Sequence, residues 1–326
     1  MTELSDSIQH ILRKKNRTVY ISITNCCNAK CRHCINIGGK TVLGEARRED
    51  VLDWIEKIAV TDYKNINFVG GEPFLKFNDL KRYIEKSGQV GLIPGVTTNG
   101  FWAESEEKAI SILEKLPALK KILVSTDLYH LEFIPLENID HLINACRKLR
   151  RFVAVNAVCA NRNEEEELRK LFIDFPKQIF INYSPMMPAG AAINLSKQME
   201  RTNYFANPAL ASDYCGVEDH FIDCEGGVYA CCMSTLAIDT NYLSLGNVKK
   251  DSFGDILIAK QANPVYKLLE EKGPRGLVEF LNKMPYGEKY RNKEYTSECE
   301  LCAQIGNDPE CCKEILASLN EKEVVQ

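Results

Sequence analysis

Short apolar runs alternate with amphipathic stretches from Thr18 to about Ser184. Val19-Tyr20-Ile21-Ser22-Ile23 is apolar and β-branched, and predicts a buried strand. Similar runs recur at Asn65–Val69, Gly91–Thr98, Lys121–Ser125, Phe152–Val158 and Gln178–Ser184. Between them, Leu75–Ser87 carries Leu80 and Ile84 at helical spacing. Glu104–Leu116, Leu136–Leu149 and Glu164–Phe172 read as further helices. Six strand–helix pairs imply a parallel sheet, and ligands of such sheets sit at the carboxyl ends of the strands. The rhythm ends at the breaker-rich stretch Pro185–Ala192, and the chain from about 196 on is richer in cysteine, aromatics and turns. The expected organisation is therefore an N-terminal extension (1–17), an α/β domain (18–195) and a smaller C-terminal domain (196–326), without internal repeats.

Composition narrows the functional classes. The chain has 326 residues, 45% hydrophobic and 26% charged, enough for one large domain and a small one. A net charge of −4 and a pI near 5.9 argue against a nucleic-acid-binding surface. Met1–Asn16 has no apolar core for a signal peptide, and no apolar run is long enough to span a bilayer. A soluble, cytoplasmic protein is expected. Fourteen cysteines in such a compartment read as metal ligands or reactive thiols, not as disulfides. Four precede residue 35, eight follow residue 214, and Cys146 and Cys159 lie between, in apolar periodic segments that suit small core residues.

The first group stands directly after the first strand. Cys27, Cys31 and Cys34 form a Cys-x3-Cys-x2-Cys register that Cys26 cannot set, because Lys30 and His33 occupy the corresponding positions. Three soft ligands suit an iron–sulfur cluster, and a four-iron cluster would keep one open corner. An open position on a metal means chemistry, as it does at zinc sites. Zinc or a structural cysteine cluster is compatible with the same spacing. Gly70-Gly71-Glu72-Pro73 follows the second strand: two glycines permit close backbone approach, and Glu72 offers an acceptor for an ammonium group. Thr97-Thr98-Asn99-Gly100 closes the third strand as a polar turn. Ser125 and Asp127, two apart at the end of the fourth, would share one face, or would cap a helix. Asn156 interrupts an apolar strand and either faces a site or is a satisfied core amide; Met186 and Met187 suit core packing.

Together these motifs resemble the radical S-adenosylmethionine (radical SAM) superfamily over about residues 18–312. The resemblance implies an open (β/α)6 partial barrel with a small C-terminal auxiliary iron–sulfur domain. It implies a four-iron cluster on Cys27, Cys31 and Cys34 whose open iron chelates SAM. Gly70, Gly71, Glu72 and Pro73 would bind the SAM amino group, and Thr98 and Asn99 would lie beside its methionine part. Ser125 and Asp127 would hold the ribose, with Asn156 and Met186 also at the cofactor. In the C-terminal domain, Cys215, Cys231, Cys299 and Cys302 resemble the ligands of SPASM or twitch domains and would bind one auxiliary four-iron cluster; zinc on the same thiolates is the alternative. The position of a further SPASM cysteine is Asp308, which favours the one-cluster type, and Cys311 and Cys312 come later.

Asn99–Trp102, Asp127–His130, Cys215–Asp219 and the pair Cys231-Cys232 resemble radical SAM peptide epimerases. That likeness implies a precursor peptide as substrate, an electron donor such as flavodoxin or ferredoxin, Cys232 as hydrogen-atom donor and Asp219 in thiol turnover. A buried thiol and a solvated turn carboxylate are the plainer uses of these two residues. Two other fates remain compatible with the sequence: dehydrogenation or cross-linking of a peptide or small molecule, and a non-catalytic metal-binding scaffold.

Overall fold

In a computed structural model of the chain, the described residues are 17–35, 44–176, 178–196, 215, 219–231, 243–291, 293 and 295–323. Six parallel strands run in sequence order: β1 (Thr18–Thr24), β2 (Asn65–Gly70), β3 (Ile93–Thr98), β4 (Lys121–Ser125), β5 (Phe152–Cys159) and β6 (Phe180–Pro185). Among these six, pairing is only between neighbours in the chain, so every crossover advances the sheet in one direction, as an open barrel requires. Helices α1 (Arg48–Ala59), α2 (Phe77–Gln89), α3 (Glu106–Glu114), α4 (Leu136–Lys148) and α5 (Arg162–Leu171) make those crossovers.

Alternation along the strands explains the layering. Ile21, Phe68, Val96, Ile122 and Val155 point to the helices and are wholly buried in the main core. The intervening residues line the concave face, where Tyr20, Thr97, Leu123, Ser125 and Asn156 are half-buried and Asn182 is exposed. The sheet is thus dry on one side and open on the other.

The structure shifts some expected boundaries. The third strand starts at Ile93, because Gly91 turns the chain at φ +83°. The helix expected from Leu75 starts at Phe77, after a 3₁₀ turn over Pro73–Lys76 that Glu72 caps. The expected division near residue 195 is no break in the sheet. Strand β7 (His220–Ile222) pairs in parallel with β1, and a hairpin to β8 (Gly227–Tyr229) and then β9 (Ser244–Asn247) completes a nine-stranded sheet. Helices α6 (Phe253–Gln261), α7 (Pro264–Leu281), α8 (Glu298–Gly306) and α9 (Pro309–Glu323) follow, and α7 to α9 build a second core around Tyr266, Leu277, Tyr295, Ile305 and Ile315.

Candidate active site

The three-cysteine loop leaves the carboxyl end of β1, as the sequence implies. Two turns from neighbouring strands hold it. The glycine turn after β2 bonds it through backbone alone: Gly71 N–H donates to Thr24 O at 2.6 Å and Glu72 N–H to Cys26 O at 2.8 Å. A Cβ on Gly71 would lie 2.1 Å from Cys26 O, so only glycine permits this approach. The turn after β3 adds Asn99, whose Nδ2 donates to Asn28 Oδ1 at 2.9 Å and lies 3.8 Å from Cys27 Sγ. The far end of the loop is fixed by Ala191 N–H donating to Cys34 O at 2.9 Å, beside Gly190 at φ +56°. Met186 is buried with Ala29, Cys31, Tyr129 and Ala192 beneath the loop.

The thiols themselves fit an iron–sulfur group. Burial pushes the Cys31 thiol up to about 12, with Asp127, Cys34 and Cys27 adding to the shift; burial raises Cys27 too, with Glu72 and Cys34 adding. Cys31 is buried and Cys27 and Cys34 are half-buried; as thiolates they would repel one another unless a cation sat among them, and a bound metal deprotonates such thiols outright. The donor set is soft sulfur, of the kind that holds iron–sulfur clusters.

Glu72 is wholly buried, and its carboxylate bridges the two turns. Oε1 accepts from Phe74 N–H at 3.0 Å and Thr98 Oγ1 at 2.9 Å, and Oε2 from Asn99 N–H at 2.7 Å. Burial pushes its pKa up to about 7, against three hydrogen bonds that favour the ionised form. Thr98 is buried and engaged on all sides, accepting also from Gly100 N–H and Trp102 Nε1 at 3.1 Å each. Both residues therefore shape the turns. Pro73 is buried in the first turn of the 3₁₀ segment, and Gly70 adopts φ +148° against Thr24 O.

Asp127 departs from expectation. Strand β4 ends at Ser125, so Asp127 does not share a strand face with it but lies in the following turn, wholly buried. Its carboxylate takes the N–H groups of Tyr129, His130 and Val158, and His33 Nε2 and His130 Nδ1 lie 3.2 and 3.0 Å from Oδ2. Burial opposes ionisation, but the His130 and His33 rings win and hold the carboxyl well below the usual range. Ser125 is paired with Asn156 across β4–β5, and both face the concave side. Sequence reasoning gave no role to His33, although it lies inside the cysteine register, nor to Glu164, whose Oε1 accepts from Tyr129 OH at 2.8 Å.

The C-terminal thiols lie with the second core, against which Cys215 and Cys302 pack. Burial first, then the charges of Cys231, Cys302 and Cys215, push the Tyr266 phenol well above its usual range. Cys231 acts on Cys299 in the same way. Cys224 is elsewhere, 3.4 Å from Ser22 Oγ, and Cys311 and Cys312 are buried in the helical core. Cys232 lies outside the described residues. Asp219 precedes β7, and its Oδ1 accepts from Thr18 N–H at 2.8 Å, at the amino end of β1. The antiparallel ladder Phe221↔Tyr229, Ile222↔Val228, carried two residues on, sets Asp219 opposite Cys231. Six residue steps of β1, about 20 Å, separate this end from the three-cysteine loop.

A radical SAM superfamily model matches residues 21–172, and the iron–sulfur cluster-binding SPASM model matches residues 215–304. This chain is a radical SAM enzyme with a SPASM domain. The radical SAM match runs from Ile21, within β1, to just past α5, and the SPASM match contains Cys215, Cys231, Cys299 and Cys302. SAM and iron–sulfur chemistry follow from the two domains. Over 304 residues the enzyme is 25% identical to YydG of Bacillus subtilis, whose name provisionally assigns it to peptide biosynthesis; the match covers 90% of this chain and 93% of YydG. Among solved structures, Streptococcus suis SuiB bound to its precursor peptide SuiA aligns with a TM-score of 0.57 and 14% identity, over 92% of this chain and 80% of SuiB. The enzyme anSMEcpe with bound AdoMet and the Cp18Cys peptide aligns at 0.53 and 14% identity, over 95% of this chain and the whole of that one. At these identities the structural likeness speaks to the fold. No helix of the described residues is long and apolar enough to cross a membrane.

Proposed function

We propose that this radical SAM enzyme inverts an L-residue of a ribosomally made peptide to its D-form. Two four-iron clusters would be held, one by Cys27, Cys31 and Cys34 with SAM on its open iron, the other by Cys215, Cys231, Cys299 and Cys302. SAM bound there supplies, on one-electron reduction from a donor such as flavodoxin or ferredoxin, a 5′-deoxyadenosyl radical that takes a hydrogen atom from Cα. The chain's own residues do the rest. The concave face, with Ser125, Asn156 and Asn182 at hand as hydrogen-bonding groups, holds the peptide between the two ends of the barrel. The Cys232 thiol gives its hydrogen atom to the opposite face of Cα, forming a C–H bond and leaving a thiyl. A second electron from the same flavodoxin- or ferredoxin-type donor, passed through the auxiliary cluster, and one proton carried by Asp219 would restore the thiol.

The observation that supports this reading is the β7–β8 register, which, carried two residues on, sets Asp219 opposite Cys231, the neighbour of Cys232 in sequence. The match to YydG along nearly the whole chain supports a peptide substrate. Replacing Cys232 tests it. Cys232→Ala should still release 5′-deoxyadenosine from SAM in the presence of peptide but form no D-residue by chiral amino-acid analysis. D-residue formation by that variant at the wild-type rate would dismiss the thiol donor.

A further inference from the structure

We infer that Asp127 is a positioning residue for the three-cysteine loop, acting through His33, and not a ligand of the SAM ribose. This rests on the radical SAM reading of that loop. A carboxylate offers about four lone-pair sites. Asp127 Oδ1 already takes the N–H groups of Tyr129 and His130, each at 3.0 Å. Oδ2 takes Val158 N–H at 3.2 Å, has His33 Nε2 at 3.2 Å, and lies 3.0 Å from His130 Nδ1. With no exposed surface, a ribose hydroxyl could reach it only by displacing one of these donors.

His33 connects this anchor to the thiols. It stands between Cys31 and Cys34, is 5% exposed, and stacks on Tyr129 with ring centroids 4.8 Å apart. Its Nε2 faces the carboxylate, while Nδ1 is buried without a partner among the described residues. The ring is thus fixed by one hydrogen bond and one stack, and the stack is itself fixed, since Tyr129 is tied to Glu164 and Glu164 Oε2 accepts Ala160 N–H at 2.7 Å. Arg32, the preceding residue, donates to Glu132 of the same turn, Nε to Oε1 at 3.0 Å. The β4 turn therefore grips Arg32 and His33 together, and with them the spacing of Cys31 from Cys34. Partners behind a metal ligand orient it in this way, and losing one weakens metal retention.

The experiment uses the full-length, anaerobically reconstituted enzyme and three variants, Asp127→Asn, His33→Gln and the double. Loss of the SAM-responsive EPR signal of the reduced protein to a ferrous chelator is followed in time, and SAM affinity of freshly loaded protein is measured by calorimetry. Each single variant should lose the signal about tenfold faster or more. The double should be no faster than the quicker single, because both act through one contact. SAM affinity per loaded cluster should stay within about threefold of wild type. Wild-type persistence of the signal in Asp127→Asn, with SAM affinity weakened about tenfold or more, would identify a ribose ligand and overturn the inference. So would wild-type persistence in His33→Gln, which decides the matter if Asp127→Asn does not fold. Absence of any SAM-responsive signal in wild type would refute the radical SAM reading instead.

Discussion

Adding a single methyl group at Gly71 should dismantle the cofactor end of the barrel. The new Cβ would lie 2.1 Å from Cys26 O, 2.4 Å from Cys26 C and 2.8 Å from Asn25 O. All three are backbone atoms, so no side chain can rotate away. Relief requires the glycine turn and the cysteine loop to part, which stretches the Gly71–Thr24 and Glu72–Cys26 hydrogen bonds of 2.6 and 2.8 Å. Overpacking costs about 1–3 kcal/mol. Two weakened hydrogen bonds add about 1 kcal/mol each. Gly71→Ala should therefore lose about 3–5 kcal/mol in urea unfolding and reconstitute with less iron, because Cys27 moves with Cys26. Gly91→Ala is the control: its Cβ meets nothing within 4 Å, and only the φ of +83° is unfavourable. It should cost about 1–2 kcal/mol and keep its full iron content. If Gly71→Ala bound iron and SAM like wild type and lost no more stability than Gly91→Ala, the close backbone contact would not be what fixes the loop.

Two further outcomes follow from the buried groups. Glu72 has a folded-state pKa near 7 against an ordinary 4.5, so the folded chain keeps a proton that the unfolded chain loses. Relative to Glu72→Gln, wild type should lose up to about 3 kcal/mol as pH rises from 4.5 to 7 and then level off; urea unfolding at pH 5.5 and 8 reads this, and a pH-independent difference between the two proteins would count against it. Cys231→Ala should hold less iron than wild type yet keep SAM cleavage, because Cys231 lies in the SPASM match, outside the loop after β1; abolished cleavage would show that the two cysteine groups do not act separately.

Strong local signals made much of this legible in the sequence. Alternating β-branched runs gave six strands in order, and the Cys-x3-Cys-x2-Cys register after the first of them located the loop correctly. Helix α1 was not singled out, and the start of α2 was displaced because Pro73 and a glutamate cap first form a 3₁₀ turn. The continuation of the sheet through β7 was invisible, since a three-residue strand has too little periodicity to announce itself and its pairing with β1 spans about 200 positions of chain. The strand face expected for Asp127 differs for another reason. A carboxylate near the end of a parallel strand suggests a ligand, but the strand stopped two residues early and two histidines from separate turns converged on it. That convergence is a tertiary fact. The C-terminal iron–sulfur domain, by contrast, was legible because cysteine restricts the uses of a segment, and the SPASM match spans 215–304.

The most direct test of peptide epimerisation is turnover in deuterated water. The reconstituted enzyme is given SAM, a low-potential reductant and a precursor peptide drawn from the short reading frames neighbouring its own, and products are read by mass spectrometry and chiral analysis. A thiol exchanges its proton with solvent before each turnover. The account predicts a product of unchanged mass in ordinary water and, in deuterated water, a D-residue carrying a single solvent deuterium at Cα, with the substrate's own hydrogen recovered in 5′-deoxyadenosine. A product lighter by the mass of H2, formed equally well by Cys232→Ala, would contradict it.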